Sequence, residues 1–232
     1  MDASAVVSAF VLAGGESSRM GSDKALLVLP TGETLLDRAL RLAKTVSDTV
    51  RLVAPNARYS GRVGVPVVED IYPACGPLAG IHAALSASAT ELNLVLGVDC
   101  PLVTPELLRF LVRIAAGTDK LATVPRVAGH LHNVCAVYRR VFAKIAERIL
   151  AGSAAASTPP CATAAHVGDP GLHAAASNSG KRRGTRIDGI FTEVPSRIVE
   201  EDELREAGFG VELFANVNTP AEFAALTLRL QP

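Results

Sequence analysis

The sequence predicts a three-layer α/β fold, in which a mostly parallel, Rossmann-like sheet carries helices on both faces. Three observations predict it: apolar strands alternate with amphipathic helices, hydrophobic residues make up 49% of the chain, and 232 residues suit a single domain. Each helix returns the chain across the sheet, so successive strands run parallel. Sheets of this kind bind ligands at the carboxyl ends of their strands.

The first elements are a buried strand and a capped helix. Residues 5–12 are apolar on both faces, which is typical of a central strand. Residues 34–46 carry leucines and alanines at helical spacing and begin with Thr34 and Asp37, a capping-box pattern. Two β-branched runs then predict short strands at residues 49–54 and 65–69.

The middle of the chain continues the alternation. Residues 76–89 begin with Gly-Pro and form a small-residue helix, and residues 92–99 are a continuous apolar run that ends on an acid. Residues 104–117 have Thr104 as N-cap and Gly117 at the end, which predicts a helix. The next predicted elements are strands at 121–125 and 133–138 and a helix at 139–152.

The pattern then breaks. Residues 153–180 are rich in Ala, Ser, Pro and Gly without periodicity, and the basic cluster GKRRGTR closes them. We therefore predict one domain over residues 1–232 with a flexible low-complexity insertion at 153–186. The fold is predicted to resume with a strand near 187–194, a helix at 201–207, a strand at 211–217 and a capped helix at 220–230.

Charge and cysteine content exclude several classes of function. Lysine plus arginine equals aspartate plus glutamate, 23 against 23, so no overall basic field indicates nucleic acid or an anionic membrane. The four cysteines lie far apart without a CxxC pair, which favours free thiols over a zinc site or a disulfide framework. The N-terminus lacks the basic region of a signal peptide, and no run of 18 apolar residues predicts a membrane span. We expect a cytoplasmic protein with no nucleic-acid and no membrane partner.

The loop after the first predicted strand, within FVLAGGESSRMGSDKALL at residues 10–27, carries the strongest functional signal. Glycines there let a ligand approach the backbone, whose N–H groups can surround an anion, and Arg19 and Lys24 add positive charge. Gly15 and Gly21 do not fit the P-loop spacing, and the dinucleotide pattern GxGxxG is absent. The two adjacent glycines alone favour an ordinary turn, whereas the complete spacing LAGGxxxRMGxxK indicates a phosphate-binding loop.

This loop resembles the nucleotidyltransferase signature of the nucleotide-diphospho-sugar transferase fold, and it is most similar to the molybdenum cofactor guanylyltransferase family. Three later segments agree with that family in the same order: VVEDIYPACGPLAGI at 67–81, GVDCPLVTPELL at 97–108 and NVNTPAEF at 216–223. Many nucleotidyltransferases share the first signature, whereas GPLAG together with NVNTP is more specific. The resemblance spans residues 5–152 and 187–230.

The resemblance implies transfer of GMP from GTP to the terminal phosphate of molybdopterin, the organic part of the molybdenum cofactor, with release of pyrophosphate. Such a reaction needs positioning and cations rather than a covalent nucleophile, because negative charge accumulates on the phosphate oxygens. Mg²⁺ is the implied cofactor. GTP and the molybdenum cofactor are the implied small-molecule partners, with transient contact to apoproteins of molybdoenzymes or to cofactor chaperones.

The same resemblance implies roles for individual residues. Asp99, at the end of the predicted central strand, is the implied Mg²⁺ ligand, while Lys24 and Arg19 are the implied catalytic cations. The implied nucleotide-binding residues are Leu12, Ala13, Gly14, Gly15, Lys24, Asp70 and Asp99. The implied residues on the pterin-substrate side are Gly76, Pro77, Leu78, Gly80, Asn216 and Asn218. His130 and His132 stand in HLHNV, where the family usually has His-Pro near the pterin.

Several alternatives stay open. Strand alternation turns only one of Glu69 and Asp70 toward the ligand, and we predict Asp70. A family asparagine after the second strand falls near Ala54, with Asn56 two residues on, so the ribose contact is unassigned. The GPLAG segment is equally suited to the pterin-substrate side and to tight packing of small residues. The asparagines of NVNTP are equally suited to the pterin substrate and to capping or turn hydrogen bonds.

Two other functions compete with guanylyl transfer. One is cytidylyl transfer to the same cofactor or transfer to another phosphorylated acceptor, because most base contacts in the family come from backbone. The other is a non-catalytic nucleotide-binding protein in cofactor delivery, against which the intact Lys24 and Asp99 argue.

Overall fold

A computed structural model describes residues 6–14, 23–55, 59, 61, 63–72, 75–155 and 187–229. The strands are β1 Val7–Leu12, β2 Thr49–Val53, β3 Val67–Val68, β4 Leu92–Gly97, β5 Ala122–Val127, β6 His130–Leu131, β7 Cys135–Arg139 and β8 Ser196–Val199. The helices are α1 Leu35–Lys44, α2 Pro77–Ser86, α3 Pro105–Ala116, α4 Phe142–Ala155, α5 Ile190–Glu193, α6 Glu201–Glu206 and α7 Pro220–Arg229. Short 3₁₀ turns occupy Lys24–Leu26, Ile187–Gly189 and Val211–Phe214.

Eight strands within the described residues form one mixed sheet. Its order is β3-β2-β1-β4-β7-β5, with β8 beside β5 and β6 paired to the end of β5. The strands from β3 to β4 in this order are mutually parallel, whereas β7 is antiparallel to both β4 and β5. The predicted mostly parallel α/β sheet is confirmed, with β6 and β7 as its antiparallel members.

Strand alternation divides the core into two layers. In β1, Val7, Ala9 and Val11 pack toward α1 and α3, while Phe10 and Leu12 pack toward α2 and α4. All six residues of β1 are buried, as are all six of β4. Truncating a buried side chain such as that of Phe10 typically costs about 3–5 kcal/mol, so these central strands fix the geometry of the edge at which they end.

The predicted strand near 187–194 is wrong. Residues there form a 3₁₀ turn and the short helix α5, and the strand follows as β8. Hydrophobic periodicity cannot distinguish a short apolar strand from a short buried helix. The element against which the segment packs decides which of the two forms. Here Phe191 stacks on Phe142 of α4 with ring centroids 6.3 Å apart, which draws this segment onto the helical layer.

The predicted strand at 211–217 is also wrong. A 3₁₀ turn covers Val211–Phe214, and the chain after it is irregular. The Phe214 ring packs on that of His132, with centroids 4.8 Å apart, and the Val217 N–H donates to the Asp99 carbonyl at 3.0 Å. These contacts hold the segment across the strand ends, so it adds no strand to the sheet.

Three smaller findings complete the fold. Sequence reasoning missed the β5–β6 hairpin, which turns at Ala128 and Gly129, both with positive φ. The predicted insertion at 153–186 lies outside the described residues except for 153–155, which belong to α4.

Cys75, Cys100 and Cys135 are free thiols, and none of the helices in the described ranges is long and apolar enough to cross a membrane.

Candidate active site

Four parallel strands end at the same edge of the sheet. Leu12 of β1 is in register with Val53 of β2 and with Gly97 of β4, and Val53 is in register with Val68 of β3. Neighbouring strands lie about 4.8 Å apart, so the edge from β3 to β4 is wide enough for a nucleotide. The residues that follow these strand ends include Gly14, Asp70 and Asp99.

Lys24 reaches this edge from a 3₁₀ turn. Its ammonium group donates to Asn218 Oδ1 at 3.0 Å and to Asp99 Oδ2 at 3.4 Å. The side chain is only 16% exposed, so Lys24 is not a fully solvated loop lysine. The predicted phosphate-loop lysine and the predicted metal carboxylate are therefore neighbours.

Two residues that sequence reasoning missed support this turn. Asp23 is its N-cap, and Asp23 Oδ1 accepts from the Ala25 N–H at 3.2 Å. Asp23 Oδ2 accepts from the hydroxyl of Tyr59 at 2.7 Å, and the Tyr59 side chain is buried. An aspartate directly before Lys24 was a usable capping signal, but nothing local marks Tyr59, which lies 36 positions away.

Asp99 lies in a turn after β4, and its carboxylate packs directly against Gly97. The Cys100 N–H donates to the Gly97 carbonyl at 3.3 Å and closes the turn. A Cβ at Gly97 would lie 2.4 Å from Asp99 Oδ1 and 3.0 Å from Val134 Cγ2. The carboxylate therefore occupies the space that a side chain at position 97 would need.

Gly97→Ala is expected to displace the Asp99 carboxylate. Overpacking of this kind typically costs about 1–3 kcal/mol of unfolding free energy, and the metal dependence of activity should change with it. Urea denaturation and activity assays against Mg²⁺ concentration measure the two effects. The matched control is Gly152→Ala in α4, where nothing described lies within 4 Å and alanine should be neutral or stabilising. Equal behaviour of both variants would contradict the expectation.

The C-terminal segment brings Asn218 to the lysine. The Asn218 and Thr219 N–H groups donate to Glu222 Oε2 at 2.6 and 3.0 Å, and the Glu222 N–H donates to Thr219 Oγ1 at 3.2 Å. The predicted capping box of the last helix is therefore present. These backbone donors lower the pKa of Glu222, so a carboxylate stays charged near Lys24.

A small apolar cluster fixes α7 beside the lysine loop. Its buried members are Leu29, Leu35, Val217 and Leu226, with Leu27, Leu102 and Phe223 packed against them. The cluster joins the chain just after Lys24 to the last helix. It explains how two residues 194 positions apart, Lys24 and Asn218, become hydrogen-bond partners.

Two buried thiols lie near Asp99. Cys100 Sγ donates to Asn216 Oδ1 at 3.3 Å, which places Asn216 beside the same turn. Burial, reinforced by the charge of Asp99, raises the pKa of Cys100 well above its ordinary value and that of Cys135 to about 12. Both thiols stay protonated at neutral pH and are poor nucleophiles.

His132 is half-buried before β7, at this same edge, and its ring packs on Phe214. Burial lowers its pKa, and the neighbouring His130 acts in the same direction, while Asp99 opposes both. A lowered pKa keeps the His132 imidazole neutral at pH 7. His130 itself is exposed.

The backbone around β1 is only partly exposed. Leu12 and Ala13 are bonded into the sheet, because the Leu12 carbonyl accepts from Val98 N–H at 3.2 Å and the Ala13 N–H donates to Val53 at 3.0 Å. Gly14 is the first exposed residue after β1. Gly15, Arg19 and Asn56 lie outside the described residues.

Asp70 follows β3, and Asp70 Oδ1 accepts from the Tyr72 N–H at 2.8 Å, so it closes a turn. Asp70 is half-buried, whereas Glu69 is exposed.

The GPLAG segment contains both exposed and buried residues. Gly76 is exposed with φ 76° and precedes the first residue of α2, Pro77. Leu78 is buried in the core, and a Cβ at Gly80 would lie 3.3 Å from Leu12 Cδ1. Gly80 therefore serves close helix–strand packing, while Gly76 and Pro77 stay accessible.

The sheet order is that of the nucleotide-diphospho-sugar transferase fold, and Lys24 and Asp99 meet where its strands β1 and β4 end. The chain is similar to the solved structure of molybdopterin-guanine dinucleotide biosynthesis protein A from Archaeoglobus fulgidus, with TM-score 0.74, 20% identity and coverage of 96% of this chain and 97% of that one. It also resembles a 4-diphosphocytidyl-2C-methyl-D-erythritol synthase from Anaerococcus prevotii, with TM-score 0.59, 12% identity and coverage of 99% and 100%. At these identities the likeness concerns the fold.

The chain belongs to the family of the MobA-like NTP transferase domain, whose model matches residues 9–159. A relative from Carboxydothermus hydrogenoformans is 28% identical over 216 residues, which cover 93% of this chain and 92% of the relative. Another, from Pelotomaculum thermopropionicum, is 39% identical over 131 residues, which cover 56% of this chain and 62% of that protein's length. Both relatives are named probable molybdenum cofactor guanylyltransferase. The resemblance noted in the sequence is confirmed.

Proposed function

We propose that this protein transfers GMP from GTP to the terminal phosphate of molybdopterin or of the molybdenum cofactor and releases pyrophosphate. The observation that carries the proposal is the Lys24–Asp99 pair, with Nζ and Oδ2 3.4 Å apart at the ends of β1 and β4. A cation for phosphate and a carboxylate for a metal ion are the two groups that this reaction needs. The names of the two relatives support the choice of substrates.

The chemical step needs no covalent enzyme intermediate. An oxygen of the acceptor's terminal phosphate attacks the α-phosphorus of GTP, the bond from that phosphorus to the bridging oxygen breaks, and pyrophosphate leaves. A phosphate monoester has a second pKa of about 6, so it is already a dianion at neutral pH and needs no general base. The protonated thiols of Cys100 and Cys135 are poor nucleophiles, which agrees with a step that forms no covalent enzyme intermediate.

Lys24 is proposed to bind the transferring and leaving phosphates, and Arg19, outside the described residues, to assist it. The charge-assisted bonds of Lys24 should shorten as negative charge builds on these oxygens. The proposed nucleotide-binding backbone runs from Leu12 through Ala13 and Gly14 to Gly15. Asp70, on β3's side of the same edge, is proposed to complete the nucleotide site.

Asp99 is proposed to hold Mg²⁺. The donor chemistry fits, because Mg²⁺ prefers hard oxygen ligands and usually takes one or two carboxylates together with substrate phosphates and water. The turn at Gly97 holds Asp99 Oδ1 in space that no larger residue would leave. When bound, the ion would neutralise charge on the phosphate oxygens.

The acceptor is proposed to bind toward Asn216, Asn218 and the Gly76–Pro77–Leu78–Gly80 segment. Because Asn218 Oδ1 accepts from Lys24, its amide NH₂ group is left as a donor for a phosphate oxygen. Leu78 and Gly80 would act through packing that sets the position of α2, since one is buried and the other lies against Leu12.

Purified protein, molybdopterin and Mg²⁺ should release pyrophosphate faster with GTP than with CTP or ATP. Isothermal titration of each nucleotide with Mg²⁺ separates binding from turnover. Preference for CTP would support cytidylyl transfer as the function of this protein instead. Tight GTP binding without pyrophosphate release would indicate a non-catalytic accessory protein instead.

A further inference from the structure

The turn that carries Lys24 is held in place by a hydrogen bond from the buried hydroxyl of Tyr59. Tyr59 is 1% exposed and lies between β2 and β3 in the chain. Its side chain belongs to the same core cluster as Ala25, the residue after Lys24. Its hydroxyl donates to Asp23 Oδ2 at 2.7 Å, a charge-assisted bond of the stronger kind.

Asp23 connects Tyr59 to the backbone of the turn by hydrogen bonds. Its other carboxylate oxygen, Oδ1, accepts from the Ala25 N–H at 3.2 Å, and its carbonyl accepts from the Leu26 N–H at 3.0 Å. The Lys24 carbonyl then accepts from the Leu27 N–H at 3.1 Å. Asp23 therefore holds the N–H groups of both Ala25 and Leu26, and its carboxylate is itself bonded to the buried hydroxyl of Tyr59.

The far end of Lys24 is held by Asn218 and Asp99, so the lysine is restrained at both ends. A lysine loses much rotamer freedom when its ammonium is fixed, and a site that fixes it before the reaction avoids that loss during catalysis. Holding a catalytic group by side chains locked in the core is the general way to keep such a geometry.

We propose that Tyr59 and Asp23 are positioning residues for the phosphate-loop lysine and act through Lys24. The inference rests on the proposed function, which supplies Lys24 with its role. Tyr59→Phe keeps the buried ring and removes the hydroxyl. It should lower kcat for pyrophosphate release about tenfold, close to the lower end of what a hydrogen bond to a charged group contributes, while the KM for GTP changes less. Asp23→Asn keeps an oxygen for Ala25 and an amide group for Tyr59, so it should lose less than Asp23→Ala.

The decisive comparison uses the Lys24→Ala background. If Tyr59 acts through Lys24, Tyr59→Phe should lower kcat no further there, within about twofold, because contacting residues of one network are not additive. An equal tenfold loss in both backgrounds would overturn the proposal, because it would mean that Tyr59 supports the site independently of the lysine.

Amide hydrogen exchange provides a readout that does not depend on activity. In Tyr59→Phe, exchange at Ala25, Leu26 and Leu27 should accelerate while the amides of β1 and β4 stay protected. The matched control is Tyr138→Phe, which removes another buried hydroxyl, bonded to the Asn133 carbonyl at 2.7 Å, and should leave the 25–27 amides unchanged.

The two proposals fail in different ways. Absence of pyrophosphate release from the unmodified protein with any nucleotide would count against the proposed function, and the exchange of amides 25–27 would still decide whether Tyr59 orders the turn. Unchanged exchange there in Tyr59→Phe, with unchanged kcat, would overturn the positioning role alone.

Discussion

Lys24→Ala is expected to lower the turnover number for pyrophosphate release by about 10²–10³, the range found when one preorganised donor to developing charge is removed. The ammonium group lies at the strand ends with 3.0 Å and 3.4 Å contacts to Asn218 and Asp99, so it is already in place before the reaction. Interactions that strengthen in the transition state affect kcat more than affinity. The affinity for GTP should therefore fall by a smaller factor than the turnover.

Pyrophosphate release under saturating GTP and titration calorimetry measure the two quantities for Lys24→Ala. The matched control is Lys120→Ala, because Lys120 is an exposed lysine just before β5, at the opposite edge of the sheet. Circular dichroism should show both variants folded. Turnover near that of the unmodified protein would contradict the phosphate-binding role of Lys24. The AGGESSRMGSDK loop would then be interpreted as an ordinary glycine turn with charged neighbours.

Local patterns predicted the parts of the fold that carry their own signal. The long apolar runs of β1 and β4 are buried on both faces, and the capping residues Thr34 and Thr219 each stand where a helix begins. The family resemblance implied catalytic roles for Lys24 and Asp99. The structure brings their side chains to 3.4 Å of each other, a contact that the sequence did not predict.

Tertiary partners decided the parts that were predicted wrongly. Residues 187–194 and 211–217 are apolar enough for strands, but Phe191 stacks on α4 and Phe214 packs on His132. The bond from Tyr59 to Asp23 spans 36 positions, and the bond from Lys24 to Asn218 spans 194. Neither hydrophobic periodicity nor a local motif can indicate contacts between residues so far apart in the sequence.

The contact of Asn218 with Lys24 also changes how the C-terminal segment is understood. A capping role and a substrate role were alternatives for NVNTP, and the described geometry contains the capping box together with a side-chain bond to the lysine. The segment therefore links the last helix to the phosphate loop. We expect changes that loosen α7 to act on the lysine as well as on stability.

Asp99→Asn is expected to raise the Mg²⁺ concentration needed for half-maximal activity and to recover part of the lost turnover when Mg²⁺ is in excess. The amide keeps an oxygen that can accept from Lys24, so the substitution mainly removes the charge that would hold the metal. Asp99→Ala removes both the charge and the acceptor, and it should recover less. Lys24→Ala should show no recovery, because its loss lies in phosphate binding.

Pyrophosphate release against Mg²⁺ concentration separates these variants. Asp119→Asn is the matched control, since Asp119 is an exposed carboxylate before β5 and should leave the Mg²⁺ dependence unchanged. Asp99 is itself partly exposed, with 23% of its side chain accessible, so the variants should keep their circular dichroism spectra. An unchanged Mg²⁺ dependence in Asp99→Asn would show that the metal is held elsewhere, and equal recovery in Asp99→Ala would show that the contact with Lys24 is not needed for turnover.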